Sequence, residues 1–142
     1  MKLSAATLTI ELRPRRAVDD EDWVRVQVLA ETNGFRGDFE AWLQLGDLVR
    51  FRDEIEVMHS SAGQALTATL ASAEPDIKVE LNMQSLGGIE GTYALESERP
   101  TGTPTVLSGG FEIDQSYLPG LRDSIADLIA SLAERLPSKN LG

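Results

Sequence analysis

Leu8, Ile10 and Leu12 alternate with Thr7, Thr9 and Glu11, and the same period of two returns in Val24, Val26 and Val28 against Arg25 and Gln27. Phe35, Phe39 and Leu43 repeat it against Arg36, Asp38 and Glu40. Successive side chains of a strand point to opposite faces, so each run predicts a half-buried strand. The period then changes. From Gly46-Asp47, one of which supplies the N-cap, Leu48, Phe51, Ile55 and Met58 form a stripe at helical spacing, with Arg50, Asp53, Glu54 and Glu56 outward. That helix should end in His59-Ser-Ser-Ala-Gly63.

Four more alternating runs come after it: Leu66, Ala68 and Leu70; Ile77, Val79, Leu81 and Met83; Ile89, Tyr93 and Leu95; Leu107, Phe111 and Ile113. Turns separate them at Ser72-Ala-Glu-Pro75, Ser85-Leu-Gly-Gly88 and Arg99-Pro-Thr-Gly-Thr-Pro104. A closing helix carries Leu118, Leu121, Ile125, Leu128, Leu132 and Leu136, with Pro119 in its first turn and Pro137 at its end. The predicted order is βββ-α-ββββ-α. Short turns join antiparallel neighbours, because a parallel return needs a crossover of about a dozen residues or more. The expectation is an α+β fold, an antiparallel meander sheet with two amphipathic helices packed on it.

Composition narrows the function. The chain has 142 residues, which fits a single domain over 1–142 with 137–142 as a short tail, large enough to bury a core without staples. It has no cysteine, which removes disulfides, thiolate metal sites and a cysteine nucleophile, and suits a reducing, cytoplasmic compartment. No run approaches the roughly 20 apolar residues of a membrane span. With 23 acidic against 13 basic residues the net charge is −10. Such a field repels phosphate backbones and anionic lipid, which argues against nucleic-acid and membrane partners and would steer a basic protein inward. Acidity for solubility alone is the plainer explanation.

Few residues carry candidate chemistry. His59 is the only histidine, so neither a histidine pair for metal nor a triad with a spare base is available, and its place at a helix end suits the helix dipole better than catalysis. Arg13-Pro-Arg-Arg16 and Asp19-Asp-Glu-Asp22 read as a solvated loop that neutralises itself, without calcium-loop spacing. Gly87-Gly88 and Gly109-Gly110 fit no phosphate-loop pattern and read as a hairpin turn and a flattened or bulged strand. Glu80, Glu90, Glu96, Glu112 and Asp114 fall on the polar register of late strands, where a solvated face is the simpler account than a catalytic pair. No cofactor and no metal is expected.

One feature of the polar register stands apart. If Val24 and Val26 point to the core, Trp23 lies opposite with Arg25; if Phe39 and Leu43 point inward, Trp42 lies opposite with Asp38 and Glu40. Tryptophan within a polar rim has the chemistry of an interface hot spot, so Trp23, Arg25, Asp38, Glu40 and Trp42 are the candidate partner-binding residues. The alternative is that a helix covers this face or that the rings cap strand ends.

Phe111-Glu-Ile-Asp114-Gln115-Ser116-Tyr117-Leu118, leading into the Leu121, Ile125, Leu128 and Leu132 helix, resembles the closing "F-x-x-x-Q-[ST]-Y-L" element of bacterial WapI-type immunity proteins. Gly34-Phe35-Arg36-Gly37-Asp38-Phe39 is similar to that family's early strand, and Gly63-Gln-Ala65-Leu66 and Gly91-Thr-Tyr93 fit its later strands. The resemblance covers roughly residues 23 to 136. It implies a non-enzymatic inhibitor of a cognate toxin domain, often a nuclease, whose basic surface an acidic partner could cover. Two other classes stay open: a small-ligand or carbohydrate enzyme using strand carboxylates, and an oligomerising protein whose Trp-bearing face closes a homodimer.

Overall fold

The computed structural model describes residues 1–17, 22–61, 64–73, 76–97 and 102–134. The strands are β1 (Lys2–Ala5), β2 (Leu8–Ala17), β3 (Trp23–Thr32) and β4 (Phe35–Gln44), then β5 (Leu66–Ala71), β6 (Ile77–Met83), β7 (Gly88–Ser97) and β8 (Thr105–Asp114). Helix α1 (Leu45–Ser60) separates the two groups, and a 3-10 turn (Gln115–Tyr117) leads into α2 (Leu118–Glu134). The fold is α+β, as the periodicity predicts, and every strand pair is antiparallel.

Two points of organisation differ from the expectation. The order is ββββ-α-ββββ-α, because Lys2–Ala5 pairs with β2 as a short extra strand. The strands also form two sheets, β1-β2-β3-β4 and β5-β6-β7-β8, rather than one meander. A 16-residue helix rises about 24 Å. Such a connection carries the chain away from β4 and lets β5 begin a sheet of its own.

The inward registers meet in one core. Leu8, Ile10, Leu12, Val24, Val26, Val28 and Leu43 of the first sheet share a buried cluster with Leu70, Ile77, Val79, Leu81 and Leu95 of the second. The predicted helical stripes join it: Leu48, Phe51, Ile55 and Met58 from α1, and Leu118, Leu121, Ile125, Leu128 and Leu132 from α2. Helix α2 lies against β1 and β2, α1 against α2 and β5, and the sheets approach each other through β1 with β8 and β4 with β7. Leu136, Pro137, the 137–142 tail, Asp19 to Glu21, and parts of the predicted turns at 62–63, 74–75 and 98–101 lie outside the described residues. Among the described residues no helix is long and apolar enough to cross a membrane.

Local details correct three further expectations. Arg13-Pro-Arg-Arg16 is not a loop but the end of β2, where the register slips between Pro14 and Arg16. A proline cannot donate to a ladder, and a bulge tolerates it. Helix α1 begins earlier than expected: Gln44 is the N-cap, and its N–H donates to the Asp47 carboxylate at 3.0 Å in a capping box. Of the two readings of Gly109-Gly110, a flattened or a bulged strand, the bulge is the one corrected, since both glycines sit in an unbroken ladder. The glycines serve a packing purpose instead. Tyr93 pairs with Gly109 and Phe111 with Gly91, so each ring lies over a position that has no side chain, and the ring centroids are 6.4 Å apart.

Candidate functional site

The outward face of the first sheet is built by β2, β3 and β4. Arg25 stands directly across the ladder from Trp42, with Trp23 opposite Gln44, Gln27 opposite Glu40, and Leu29 opposite Asp38. Two guanidinium groups lie within cation–π distance of the Trp42 ring, Arg25 at 4.9 Å and Arg16 at 5.4 Å from its centroid. Each such contact contributes about 0.5–1 kcal/mol at an exposed site. Arg25 donates to Glu40 at 2.7 Å, and Arg15 reaches the same carboxylate at 3.6 Å and the Gln27 side chain at 2.5 Å. Gln27 in turn donates to Asp38 at 3.0 Å. The Arg25 hydrogen bond, aided by the charges of Arg15 and Arg16, holds the Glu40 carboxyl below its usual range.

All five expected residues therefore lie on one face. Arg25, Glu40 and Trp42 touch, Asp38 joins them through Gln27, and half-buried Trp23 is one row away. Arg15, Arg16 and Gln27 belong to the same cluster, although the sequence pattern does not single them out. A bulge sets two residues of one strand against one of its neighbour, so Arg15 and Arg16 can both serve one face where simple alternation sends one of them inward. The proline within an arginine run is the signal in the sequence that could have found them.

The arginines also change the electrostatics expected of this face. Glu40 is matched by Arg15 and Arg25, while Asp38 accepts from the neutral Gln27, and a larger group of acidic side chains lies on the outward face of the second sheet. Glu80, Glu90, Glu96, Glu112 and Asp114 share that side with Lys78, and Glu90 stands directly opposite Glu112. No ion pair to these five carboxylates forms among the described residues. None of them lines the large cleft of about 830 Å³ that opens between the β3–β4 hairpin and the β7–β8 hairpin. Inward-register Phe35, Phe39, Tyr93, Leu95 and Leu107 line this cleft, with Arg36 and Asp38 at its rim. His59 is exposed in the last turn of α1 and is not part of the cleft.

The Asp114-Gln-Ser-Tyr117 segment proves to be a structural joint. Asp114 accepts the Ser116 N–H at 2.8 Å as cap of the 3-10 turn, and the Ser116 hydroxyl also donates to it. These bonds hold the Asp114 carboxyl below its ordinary range. Tyr117 offers its hydroxyl to the Ser4 N–H of β1, and the Gln115 amide lies against Gly87, whose φ of +95° forms the β6–β7 turn. One short motif thereby ties α2, β1 and the second sheet together.

No curated protein matches the chain. A model of the WapI-like immunity protein family matches residues 3–133, from within β1 to within α2, and so takes in the joint just described. By that match over nearly its whole length, the chain belongs to the WapI-like immunity protein family.

Proposed function

We propose that this protein acts without catalysis, by binding a cognate toxin domain and covering its working surface. Membership of an immunity-protein family across residues 3–133 is the observation that carries the reading. The proposed contact surface is the Trp23, Arg25, Asp38, Glu40 and Trp42 face. Aromatic and arginine side chains dominate interface hot spots, and Trp42 lies beside Arg16 and Arg25 on this face. The net charge of −10 suits a basic toxin, and a nuclease is the toxin class whose substrate demands a basic surface. A toxin of that kind would be met in the cytoplasm.

The experiment mixes the purified chain with the toxin domain encoded beside it and measures complex formation and toxin activity together. A complex at micromolar concentration or tighter, with loss of toxin activity, is expected. Absence of any complex overturns the reading. Replacing both Trp23 and Trp42 by alanine should abolish or strongly weaken the complex; unchanged binding would keep the function and move the surface. His59→Ala should leave inhibition intact, with a stability change within about 1 kcal/mol.

A further inference from the structure

Each sheet ends in two edge strands, β1 and β4 in the first and β5 and β8 in the second. An edge presents unpaired backbone groups that another chain can pair with, and proteins blunt such edges. Three of the four are blunted here. On β1 the Lys2 N–H donates to the Ser124 hydroxyl at 3.2 Å and the Ser4 N–H to Tyr117. On β5 the Thr69 N–H donates to Glu54 of α1 at 3.0 Å. On β4, Arg36, Asp38 and Glu40 place charge at alternate positions. The fourth edge, β8, is ten residues long and has neither charge nor proline from Thr105 to Phe111. Among the described residues no bond from outside the β7 ladder reaches a backbone N–H of Val106 to Glu112.

Two independent features lie beside that open edge. Phe35 belongs to the inward register of the first sheet yet is 66% exposed, because it faces the cleft rather than packed side chains. Alternate side chains of a strand laid along β8 would enter that cleft, against Phe35 and Leu107. On the opposite face, Asn82, Glu90 and Glu112 form one cross-strand row ending at β8. Like charges directly opposite are unfavourable, and the next position in the row is the one an added strand would fill.

We infer that the β8 edge from Thr105 to Glu112 is a strand-addition site for an extended segment of the partner protein, alternating apolar residues toward the cleft with basic residues opposite Glu112. The inference rests on the binding function proposed above and names how the partner is gripped. Asp38 stands both at the cleft rim and on the Trp-bearing face, so the two surfaces are continuous. A second copy is the poorer occupant, since each chain carries −10.

The test needs no toxin. An end-capped octapeptide alternating lysine and valine is added at millimolar concentration to the full chain, and backbone amide exchange is followed residue by residue. Slowed exchange across Val106 to Glu112 is expected, together with no slowing when glutamate replaces lysine in the peptide. Glu112→Lys, checked for an unchanged fold by its melting curve, should weaken the lysine peptide on the order of tenfold. Exchange unchanged at Val106 to Gly110, or slowed only on β4, overturns the inference, as does equal binding by the glutamate peptide or concentration-dependent dimerisation through β8. A toxin complex that forms although the peptide fails leaves the binding function standing and removes the strand-addition site alone. Peptide protection without any toxin complex does the reverse.

Discussion

Gly91 and Gly109 show how a single missing Cβ can be a packing element. A Cβ at Gly91 would stand 2.1 Å from the Phe111 ring, and one at Gly109 would stand 2.8 Å from the Tyr93 hydroxyl. Alanine in a strand normally gains about 0.5–1 kcal/mol over glycine through the unfolded state. At Gly91 the overlap involves three ring atoms and outweighs that gain, so Gly91→Ala should destabilise by about 1–3 kcal/mol. At Gly109 only the tip of Tyr93 must give way, and the cost should be smaller. Melting curves of the two variants check the order; Gly109→Ala as the more damaging change would contradict this account. Asp114 offers a second test at this scale, because asparagine can also accept the Ser116 N–H but carries no charge. The bound Asp114 carboxyl titrates below its ordinary range, so its charge stabilises above the unfolded value and that contribution is lost as pH falls through the folded one. Asp114→Asn should therefore melt below the parent protein at pH 7, and the gap should close as pH drops below the ordinary carboxylate range of about 4.

At the scale of elements, seven strands and two helices are legible in the sequence because one face of each is buried and the side-chain period then shows. What escapes has physical reasons. Strand β1 has only four residues, too few for a period, and it is held by backbone bonds to Tyr117 and Ser124 more than 110 residues away. The split into two sheets depends on where α1 sends the chain, which no local pattern encodes. The bulge at Pro14 to Arg16 turns an apparent loop into part of the candidate site, whereas the outward register of Trp23 and Trp42 is readable because strict alternation holds in β3 and β4. The β7–β8 ladder gives an element-scale prediction. Glu90 and Glu112 face each other with no ion pair among the described residues. Glu90→Gln should raise the melting midpoint by about 1–2 °C at low salt, and added salt should erase the gain. A lowered midpoint would mean that this row is already compensated.

For the whole molecule, charge and contact chemistry should govern different steps of binding. Most of the negative excess lies away from the Trp-bearing face, which sets Arg15, Arg16 and Arg25 against Asp38 and Glu40. The long-range field therefore comes from the molecule as a whole, and with the basic toxin proposed above it would act on diffusional encounter rather than on the docked contact. Between about 0.01 M and 1 M salt the screening length shrinks from about 30 Å to about 3 Å. The association rate with the toxin domain should fall by on the order of tenfold or more across that range, with dissociation changing far less. Trp42→Ala should do the opposite. It removes a ring that lies against Arg16 and Arg25 without altering net charge, so dissociation should speed up while association and its salt dependence stay the same. Stopped-flow traces of both proteins over a salt series separate the two effects. If Trp42→Ala slowed association instead, the ring would act in the encounter itself and the division between field and contact would be wrong.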